Sequence, residues 1–492
     1  MLFSSLIFIF GFLPICLAAV FVGVKLGGRR AAIPILLLAS LIFYAWQTPA
    51  YIFLMLGSII VNFFLGRRIS TQRSTVDVAI GIVFNLALLG WFKYIGLFSA
   101  TLSAISQLDV TIDGVVLPLA ISFFTFQQIA YLVDCLNKER SGYGFLDYAL
   151  FVSFFPQLIA GPIVHHKELA PQFRNKRFVA FRREDILGGL FLFAIGLSKK
   201  ILIADGVAPI ADSVFDAAQA GYLVSMSDAW LGVLAYSFQI YFDFSAYSDM
   251  ALGLALLLGV RLPMNFNSPY KSHSIVDFWR RWHITLSTFL RDYLYFPLGG
   301  NRKGPLMRYR NLFIVMLLGG LWHGAAWTFV VWGGLHGMYL CINHAWEKLF
   351  EGRTILGPFI ATVLTFAGVA LAWVFFRAES FEAAFSVLAA LTGVEAAAST
   401  ILERSTLYSL PVLVIAALVV WRCPNALELY ERLEPVFRDD GSTAQSQTSA
   451  FQSSSLVKIE ASHLMSVLGV TTAIAIFVLL SSGSYEFIYF QF

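Results

Sequence analysis

The chain has 492 residues, of which 58% are hydrophobic and 13% are charged, and its mean hydropathy is +0.74. Soluble domains average about 45–50% apolar and about 25% charged residues. The composition therefore excludes an ordinary soluble globule and predicts an all-α polytopic integral membrane protein. The net charge of +4 is small and lies mostly in loops, where membrane topology explains it better than a polyanion partner does. We expect contact with membrane lipid and no binding of nucleic acid.

Apolar segments of about 20 residues, the length that crosses a bilayer, follow one another along the chain. We expect about 10 to 13 of them to span or re-enter the membrane, within a single membrane domain covering residues 1–492. No lysine or arginine precedes the first apolar run, so we expect that helix to remain rather than to be cleaved as a signal peptide. The candidate segments lie near residues 5–24, 31–47, 50–65, 76–98, 115–136, 144–164, 186–204, 221–242, 246–260, 312–332, 357–376, 407–421 and 462–481.

Charged residues in the links between these segments predict their orientation. Basic residues follow the first and third segments, whereas the link before the third is uncharged, so the positive-inside rule places the N-terminus outside the cytoplasm. Residues 99–114 carry only aspartates as charged residues and are predicted to form an extracytoplasmic loop. Residues 144–164 lie between two basic links, and we expect a re-entrant hairpin there rather than a crossing.

The longest basic stretch lies within residues 261–311, which are also rich in aromatic residues and are predicted to be cytoplasmic. Two interpretations of its charge remain open. It marks topology and contacts lipid headgroups, or it attracts an anionic cytosolic ligand such as a nucleotide-containing thioester. Residues 439–456 form a polar low-complexity tract, and we expect a flexible loop there.

Motifs of several enzyme classes are missing from the sequence. It contains no H-E-x-x-H, no G-x-x-x-x-G-K-[ST] and no G-x-S-x-G, which argues against zinc proteases, P-loop pumps and esterases. The four cysteines show no C-x-x-C spacing, so we expect neither a disulfide nor a metal site. Histidines inside apolar segments are then the best candidates for chemistry, because an ionisable group is costly to bury there.

His323 is the sharpest of these candidates. It stands in LWHGAAWTF, residues 321–329, among apolar, small and indole side chains. A neutral imidazole in such surroundings accepts a proton from a hydroxyl group near pH 7. Gly319, Gly320 and Gly324 would let an extended substrate approach closely. The alternative is a histidine that hydrogen-bonds across helices for packing alone.

His336 follows 13 residues after His323. In one continuous helix the two would lie about 20 Å apart on nearly opposite faces. They could therefore share a reacting atom only if Gly333 and Gly334 broke the helix. We expect a structural or supporting role for His336.

His283 belongs to a second cluster, FWRRWHITLS at residues 278–287. With Arg280, Arg281 and Trp282 it forms a set that could bind an anion and an acyl chain together. Taken alone, the same residues are typical of an amphipathic interfacial helix, and both interpretations remain open.

Asp243 is the carboxylate least easily dismissed among the polar residues of the apolar runs. A carboxylate in such a position pairs with an arginine or histidine partner, or it holds helices together by hydrogen bonds. The sequence leaves both alternatives open.

Several motifs, taken together and in this order, resemble those of the membrane-bound O-acyltransferase family. The similarity is greatest to the branch of the alginate O-acetylation membrane protein and the related peptidoglycan and cellulose acetylation proteins. It extends over nearly the whole chain, and its strength rests on the order and density of the motifs. The motifs are PLAISFFTF (118–126), FFPQLIAGP (154–162), DFSAYSD (243–249), FWRRWHITLS (278–287), FPLGGNR (296–302), LWHGAAWTF (321–329), WVFFRA (373–378) and FIYFQF (487–492).

The resemblance implies a bundle of tilted helices around a central tunnel, in the cytoplasmic (inner) membrane of a bacterium. It implies transfer of an acetyl group from cytoplasmic acetyl-coenzyme A, a substrate rather than a bound cofactor, towards an extracytoplasmic polysaccharide. Members of this branch work with a separate extracytoplasmic polysaccharide acetyltransferase, so a partner of that kind is expected here.

The resemblance also assigns residues to roles. The catalytic histidine of the family falls on His323, and its second histidine motif falls on His283. In this interpretation His323 withdraws a proton from the acceptor hydroxyl, while His283 and nearby donors orient the thioester or stabilise the oxyanion. The exchange of these two parts and a transient acetyl-histidine remain alternatives. Predicted to bind the donor or oxyanion are Arg280, Arg281 and Trp282, and predicted to support the site are Trp322, Asp243 and His336.

Other functions stay open at this stage. Within the same family, D-alanyl transfer from a carrier protein to teichoic acid uses the same histidine motifs. Outside enzymology, the chain could be a transporter with histidines that relay protons, or a scaffold of a polysaccharide synthesis complex.

Overall fold

The structure is a computed structural model that describes residues 1–46, 48–106, 110, 112, 115–137, 144–351, 356–394, 409–438, 451–482, 485, 487 and 488, with the backbone alone for 451–461. Throughout these ranges the regular secondary structure is helical and no strand occurs. The predicted all-α class of a polytopic membrane protein is therefore confirmed.

The helices follow the apolar segments, because in lipid a helix satisfies its backbone hydrogen bonds within itself. The first eleven are α1 Leu13–Gly27, α2 Ala32–Ala45, α3 Tyr51–Gln72, α4 Thr75–Leu89, α5 Ile95–Ser106, α6 Ile121–Leu136, α7 Phe145–Ser153, α8 Phe155–Leu158, α9 His166–Leu169, α10 Arg183–Ser198 and α11 Asp205–Gln219. The other ten are α12 Met226–Leu257, α13 Ile275–Arg281, α14 Ile284–Leu290, α15 Pro305–His323, α16 Trp327–Leu349, α17 Pro358–Arg377, α18 Phe381–Leu391, α19 Leu410–Arg422, α20 Ala426–Arg438 and α21 Phe451–Ser482.

Six helices in the described ranges are long and apolar enough to cross a membrane, or seven if the bent pair α19–α20 is one span. This number is smaller than the 10 to 13 spanning or re-entrant segments expected from hydropathy. Several apolar segments form helices too short to span, such as α6 with 16 residues, and the expected number also includes re-entrant segments. Residues 144–164, predicted as a re-entrant hairpin, form α7 with nine residues and α8 with four, and Pro156 follows the break between them.

Four wide π-helical turns lie beside or between the helices. They are Ile7–Phe12 before α1, Gly90–Tyr94 between α4 and α5, Lys199–Ala204 between α10 and α11, and Arg291–Tyr295 after α14. A π-turn inserts an extra residue into a helix and is frequent at functional sites. Three of these turns carry a lysine or tyrosine side chain that hydrogen-bonds to another helix.

Helix α12 lies at the centre of the fold, packed against α10, α11 and α17. Every residue from Ala235 to Leu257 is buried except Asp249. Helices α15 and α16 form a tight hairpin whose approach depends on glycine, since a Cβ at Gly320 would overlap the carbonyl oxygen of Phe329 and one at Gly333 that of Met316.

Two predicted loops fall partly outside the described residues. Helix α5 reaches Ser106, so it extends into the predicted loop 99–114, of which residues 107–109, 111, 113 and 114 lie outside the described part. Residues 439–450 of the predicted loop 439–456 also lie outside it, and residues 451–456 belong to the first turns of α21. The segment 261–311 contains α13, α14, the turn Arg291–Tyr295 and the start of α15.

Candidate active site

His323 is the last residue of α15, and only 4% of its surface is exposed. The helix ends there because Gly324 adopts an extended conformation, with φ −152° and ψ 150°. Ala326 is also extended before α16 begins at Trp327. The chain therefore breaks directly after the histidine and turns back, which places its imidazole at the closed end of the hairpin.

Aromatic rings enclose the His323 imidazole. The centroids of Trp322 and Trp332 lie 5.0 Å from its own, each with the ring planes steeply inclined, and that of Phe376 lies 5.3 Å away. These contacts come from α15, α16 and α17, so three helices fix the position of the ring. A neutral imidazole is the form that suits this apolar enclosure.

His283 lies next to His323, with 6.3 Å between the ring centroids. It is fully buried and precedes α14 in a left-handed backbone conformation, with φ 42°. Its ring packs edge to face on Phe244 of α12 at 4.8 Å. The two histidines, which are 40 residues apart in the sequence, thus lie in one site.

Asn265 fixes the hydrogen on the His283 ring. Its Oδ1 atom lies 3.1 Å from Nδ1 of His283 and also accepts from the backbone N–H and the hydroxyl of Thr285. Because this oxygen is only an acceptor, Nδ1 of His283 carries the hydrogen. Nε2 is then an acceptor, and it has no hydrogen-bond partner among the described residues.

The two imidazoles are neighbours, and both are the kind of group that accepts or donates a proton near pH 7. Hydrogen bonds to a general base are about 2.6–3.2 Å long, and the centroids of the two rings lie 6.3 Å apart, close enough for both imidazoles to belong to one site. Trp322 borders the same space, with its ring centroid 6.1 Å from that of His283. The arrangement suits attack by a hydroxyl group on an acyl carbon, with one imidazole to take the proton.

His336 lies on the far side of Trp332, whose ring centroid is 4.8 Å from that of His336. Trp279 Nε1–H donates to its Nδ1 atom over 3.3 Å, so the hydrogen of His336 is on Nε2. The expected geometry of one continuous helix was wrong, because the break falls after His323 rather than at Gly333. An indole that touches both imidazoles now separates them.

The three residues that precede His283 have different surroundings. Arg280 is exposed on α13, while Arg281 donates to Asp277 over 2.9 Å and to the carbonyl oxygen of Asn267 over 3.4 Å. Trp282 is buried in an aromatic cluster with Phe266, Phe278 and Trp373. Their role towards a donor or an oxyanion stays a prediction.

Asp243 pairs with a lysine rather than with an arginine or a histidine. Its Oδ1 atom lies 2.7 Å from Nζ of Lys200, which lies equally close to Asp205. Its Oδ2 atom accepts from the backbone N–H of Ile488 over 2.9 Å. The neighbouring residue on α12, Phe244, is the one that touches His283, and a supporting role for Asp243 stays a prediction.

Residues that the sequence argument did not single out also build this region. Lys93 Nζ donates to the carbonyl oxygens of Trp322 and His323 over 2.7 and 3.0 Å. The neighbouring Tyr94 hydroxyl donates to Leu321 over 2.8 Å. The signal for Lys93 was present, since it is an isolated charge in an apolar run. Asn265 gave no such signal, because its role depends on a contact that only the fold creates.

A second buried polar chain lies at the other end of α6. The hydroxyl of Tyr293 donates to Asp134 over 2.7 Å and lies 3.0 Å from Nδ1 of His165. Nδ1 of His166 lies 3.4 Å from the other oxygen of Asp134. Ile163, on the same loop as both histidines, donates its backbone N–H to Thr285 over 2.9 Å, which ties this loop to the His283 support.

Comparison with known proteins identifies the family of this chain. The model of the membrane-bound O-acyltransferase family matches residues 35–378, a range that includes both histidines. The chain therefore belongs to the membrane-bound O-acyltransferase family. The fold and the family together define a multi-pass membrane enzyme that transfers acyl groups.

Individual relatives narrow the branch. A peptidoglycan O-acetyltransferase of Helicobacter pylori is 46% identical over 425 residues, which cover 80% of both chains. A probable alginate O-acetylase AlgI of Pseudomonas aeruginosa is 41% identical over 432 residues, covering 85% of this chain and 81% of the relative. A teichoic acid D-alanyltransferase of Bacillus subtilis is more distant, at 29% identity over 54% of this chain and 69% of the relative.

Proposed function

We propose that this enzyme transfers an acetyl group from a cytosolic thioester, acetyl-coenzyme A, towards a hydroxyl group of an extracytoplasmic glycan. The pair of buried histidines with ring centroids 6.3 Å apart, in a chain of this family, carries the proposal. Both of the most similar relatives named above are O-acetylating proteins of glycans. The lower identity and coverage of the D-alanyltransferase argue against D-alanine as the group transferred.

In the proposed reaction the acceptor oxygen attacks the carbonyl carbon of the thioester, and its proton moves to an imidazole nitrogen of His323. His283 supports the reacting group from the other side through Nε2, while Asn265 holds its opposite nitrogen. The carbon–sulfur bond then breaks, and the thiolate takes up the proton from the imidazolium. Each histidine thus returns to its neutral form, as general acid–base catalysis requires.

Two further features of the proposal concern placement. We place the enzyme in the bacterial cytoplasmic membrane with its N-terminus outside, so that the basic segment 261–311 faces the cytosol, where it attracts an anionic donor. We also propose a partner acetyltransferase outside the cytoplasm, as the resemblance to the acetylation branch implies. That partner would pass the acetyl group to the polymer.

The donor is tested with membranes from a deletion strain that carries the wild-type chain. Incubation with acetyl-coenzyme A labelled in the acetyl group is expected to label the glycan fraction, whereas D-alanine loaded on its carrier protein is expected to leave it unlabelled. The membranes with His323→Gln serve as the matched control and are expected to transfer no label. Labelling from the D-alanyl carrier, or equal labelling by the variant, would contradict the proposal.

A further inference from the structure

Lys93 carries an ionisable amino group inside Thr75–Ser106, a helix long and apolar enough to cross a membrane. The oxygens within hydrogen-bond distance of its Nζ atom in the described part of the chain are neutral. They belong to the carbonyls of Trp322 and His323 and, at 3.4 Å, to the hydroxyl of Ser122. An ionisable group at membrane depth is costly and is retained for a specific task, and pairing with a carboxylate is not that task here.

The partners of Lys93 point to the task. The last carbonyls of a helix have no partner within the helix and carry the negative end of its dipole. At the end of α15 these are the carbonyls of Leu321, Trp322 and His323, and Tyr94 and Lys93 supply hydrogens to all three. The helix end that carries His323 is thus held by two consecutive residues of another helix.

The π-helical turn Gly90–Tyr94 explains how two consecutive residues reach the same target. In a regular α-helix neighbouring side chains diverge by about 100°, whereas a π-turn widens the helix locally and redirects them. The turn brings Lys93 and Tyr94 to a helix end that lies more than 220 residues further along the chain. The π-turn after α4 therefore allows two residues of one helix to bond to the end of α15.

We propose that Lys93 is a positioning residue for His323. Its charge fixes the last turn of α15 through the carbonyls of Trp322 and His323, so that the imidazole stays in register with His283. Lys93 also lines, with Ser122 and Trp322, a cavity of about 90 Å³ beside the same helix end. This inference rests on the proposed acetyl transfer, because it assigns a role within that reaction.

The test compares Lys93→Met, which removes the charge but keeps most of the volume, with Lys93→Arg, which keeps the charge. Tyr94→Phe is the matched control, since it removes one hydrogen bond to the same helix end and no charge. Each is assayed in membranes by acetyl transfer from labelled acetyl-coenzyme A, after normalisation to the amount of enzyme. Lys93→Gln replaces Lys93→Met if the latter does not accumulate.

We expect Lys93→Met to lower kcat at least tenfold with the KM for the donor changed less than threefold. Lys93→Arg is expected to recover at least a third of the wild-type kcat, and Tyr94→Phe to lower it less than threefold. A kcat of Lys93→Met above half of wild type, or a loss confined to KM, would overturn the inference. If the wild-type chain itself transferred no acetyl group, the proposed function would fail instead, so the two failures are distinct.

Discussion

The chemistry of single residues in this site depends on which ring nitrogen carries the hydrogen. The His283 ring gives its Nδ1 hydrogen to Asn265, which leaves Nε2 as an acceptor, whereas the Trp279 indole leaves His336 with its hydrogen on Nε2. The two fully buried histidines are therefore opposite tautomers. Of these two histidines, His283 is the one whose acceptor nitrogen, Nε2, lies opposite its supporting hydrogen bond. That nitrogen is therefore available to accept a hydrogen from a hydroxyl group.

Asn265→Leu tests the importance of this tautomer. The change removes the oxygen that holds Nδ1–H and leaves a buried donor without a partner, which costs about 1–3 kcal/mol. We expect acetyl transfer to fall by about tenfold, since about 1.4 kcal/mol, which lies within this range, corresponds to tenfold in rate. Asn267→Leu is the control, because the side chain of Asn267 bonds to Asn425 instead. Equal activities of the two variants would exclude a tautomer-specific role.

Lys200, Asp205 and Asp243 form a buried ion triad that links three residues of the helical core. Removal of one partner of a buried ion pair costs about 3–5 kcal/mol, and Lys200→Met leaves two carboxylates without their cation. We expect a clear fall in the temperature at which the detergent-solubilised protein aggregates. Adding Asp243→Asn to Lys200→Met is expected to restore part of the loss, and an unchanged aggregation temperature in the single variant would contradict this account.

At the scale of elements, the α15–α16 hairpin sets the position of His323. Met316 and Gly320 of α15 face Gly333 of α16 so closely that neither glycine has space for a side chain. The same pair of helices ends in the extended turn after His323. A shift of either helix would therefore move the imidazole relative to His283, which belongs to a different element.

Gly333→Ala and Gly334→Ala form a matched pair for this packing. A Cβ at Gly333 would overlap the carbonyl oxygen of Met316, whereas one at Gly334 would make an ordinary contact of 3.5 Å with Leu317. Overpacking of a tight interface costs about 1–3 kcal/mol, so we expect Gly333→Ala to lower both thermal stability and acetyl transfer. Gly334→Ala is expected to change acetyl transfer by less than about twofold and to leave the aggregation temperature close to that of the wild type. Similar effects of the two changes on aggregation temperature would show that the close approach is not required.

The elements also show which parts of the site could be predicted from sequence. His323 and His283 stand in recognisable motifs, so the sequence could propose them as site residues. The apolar runs in turn predict the helices. A continuous helix was expected unless Gly333 and Gly334 broke it. The helix instead ends after His323, and Gly333 serves close packing against Met316, a use that glycine composition alone does not reveal. Lys93 contacts Trp322 across 229 residues of sequence, and no local pattern contains such a contact.

At the scale of the whole molecule, hydropathy predicts the class, and helix length and composition select six or seven candidate spans in the described ranges. Helix α6 and the pair α7–α8 are apolar, shorter than a span and largely buried in the protein. A run of 10–14 apolar residues is more often a buried helix or a re-entrant segment than a span. The length of the helix, which depends on where proline and glycine interrupt it, decides between the two.

The orientation of the chain is a prediction that labelling can check. We expect a cysteine at Ala50→Cys to react with a membrane-impermeant thiol reagent in intact cells, and one at Asn301→Cys to react only after the cells are opened. Both changes are made in a Cys423→Ser background, because Cys423 is exposed. The reverse pattern would place the basic segment outside the cytoplasm and remove it from the donor side.

The central claim is that His323 carries out the acyl transfer. The most direct measurement is the O-acetyl content of the cell-surface glycan in a deletion strain that carries the wild-type chain, His323→Gln or His336→Gln, with equal amounts of each protein in the membrane. Loss of a general base lowers the rate by about 10²–10⁴-fold, so we expect His323→Gln to abolish acetylation. His336→Gln is expected to retain much of it. Normal acetylation with His323→Gln would contradict the account.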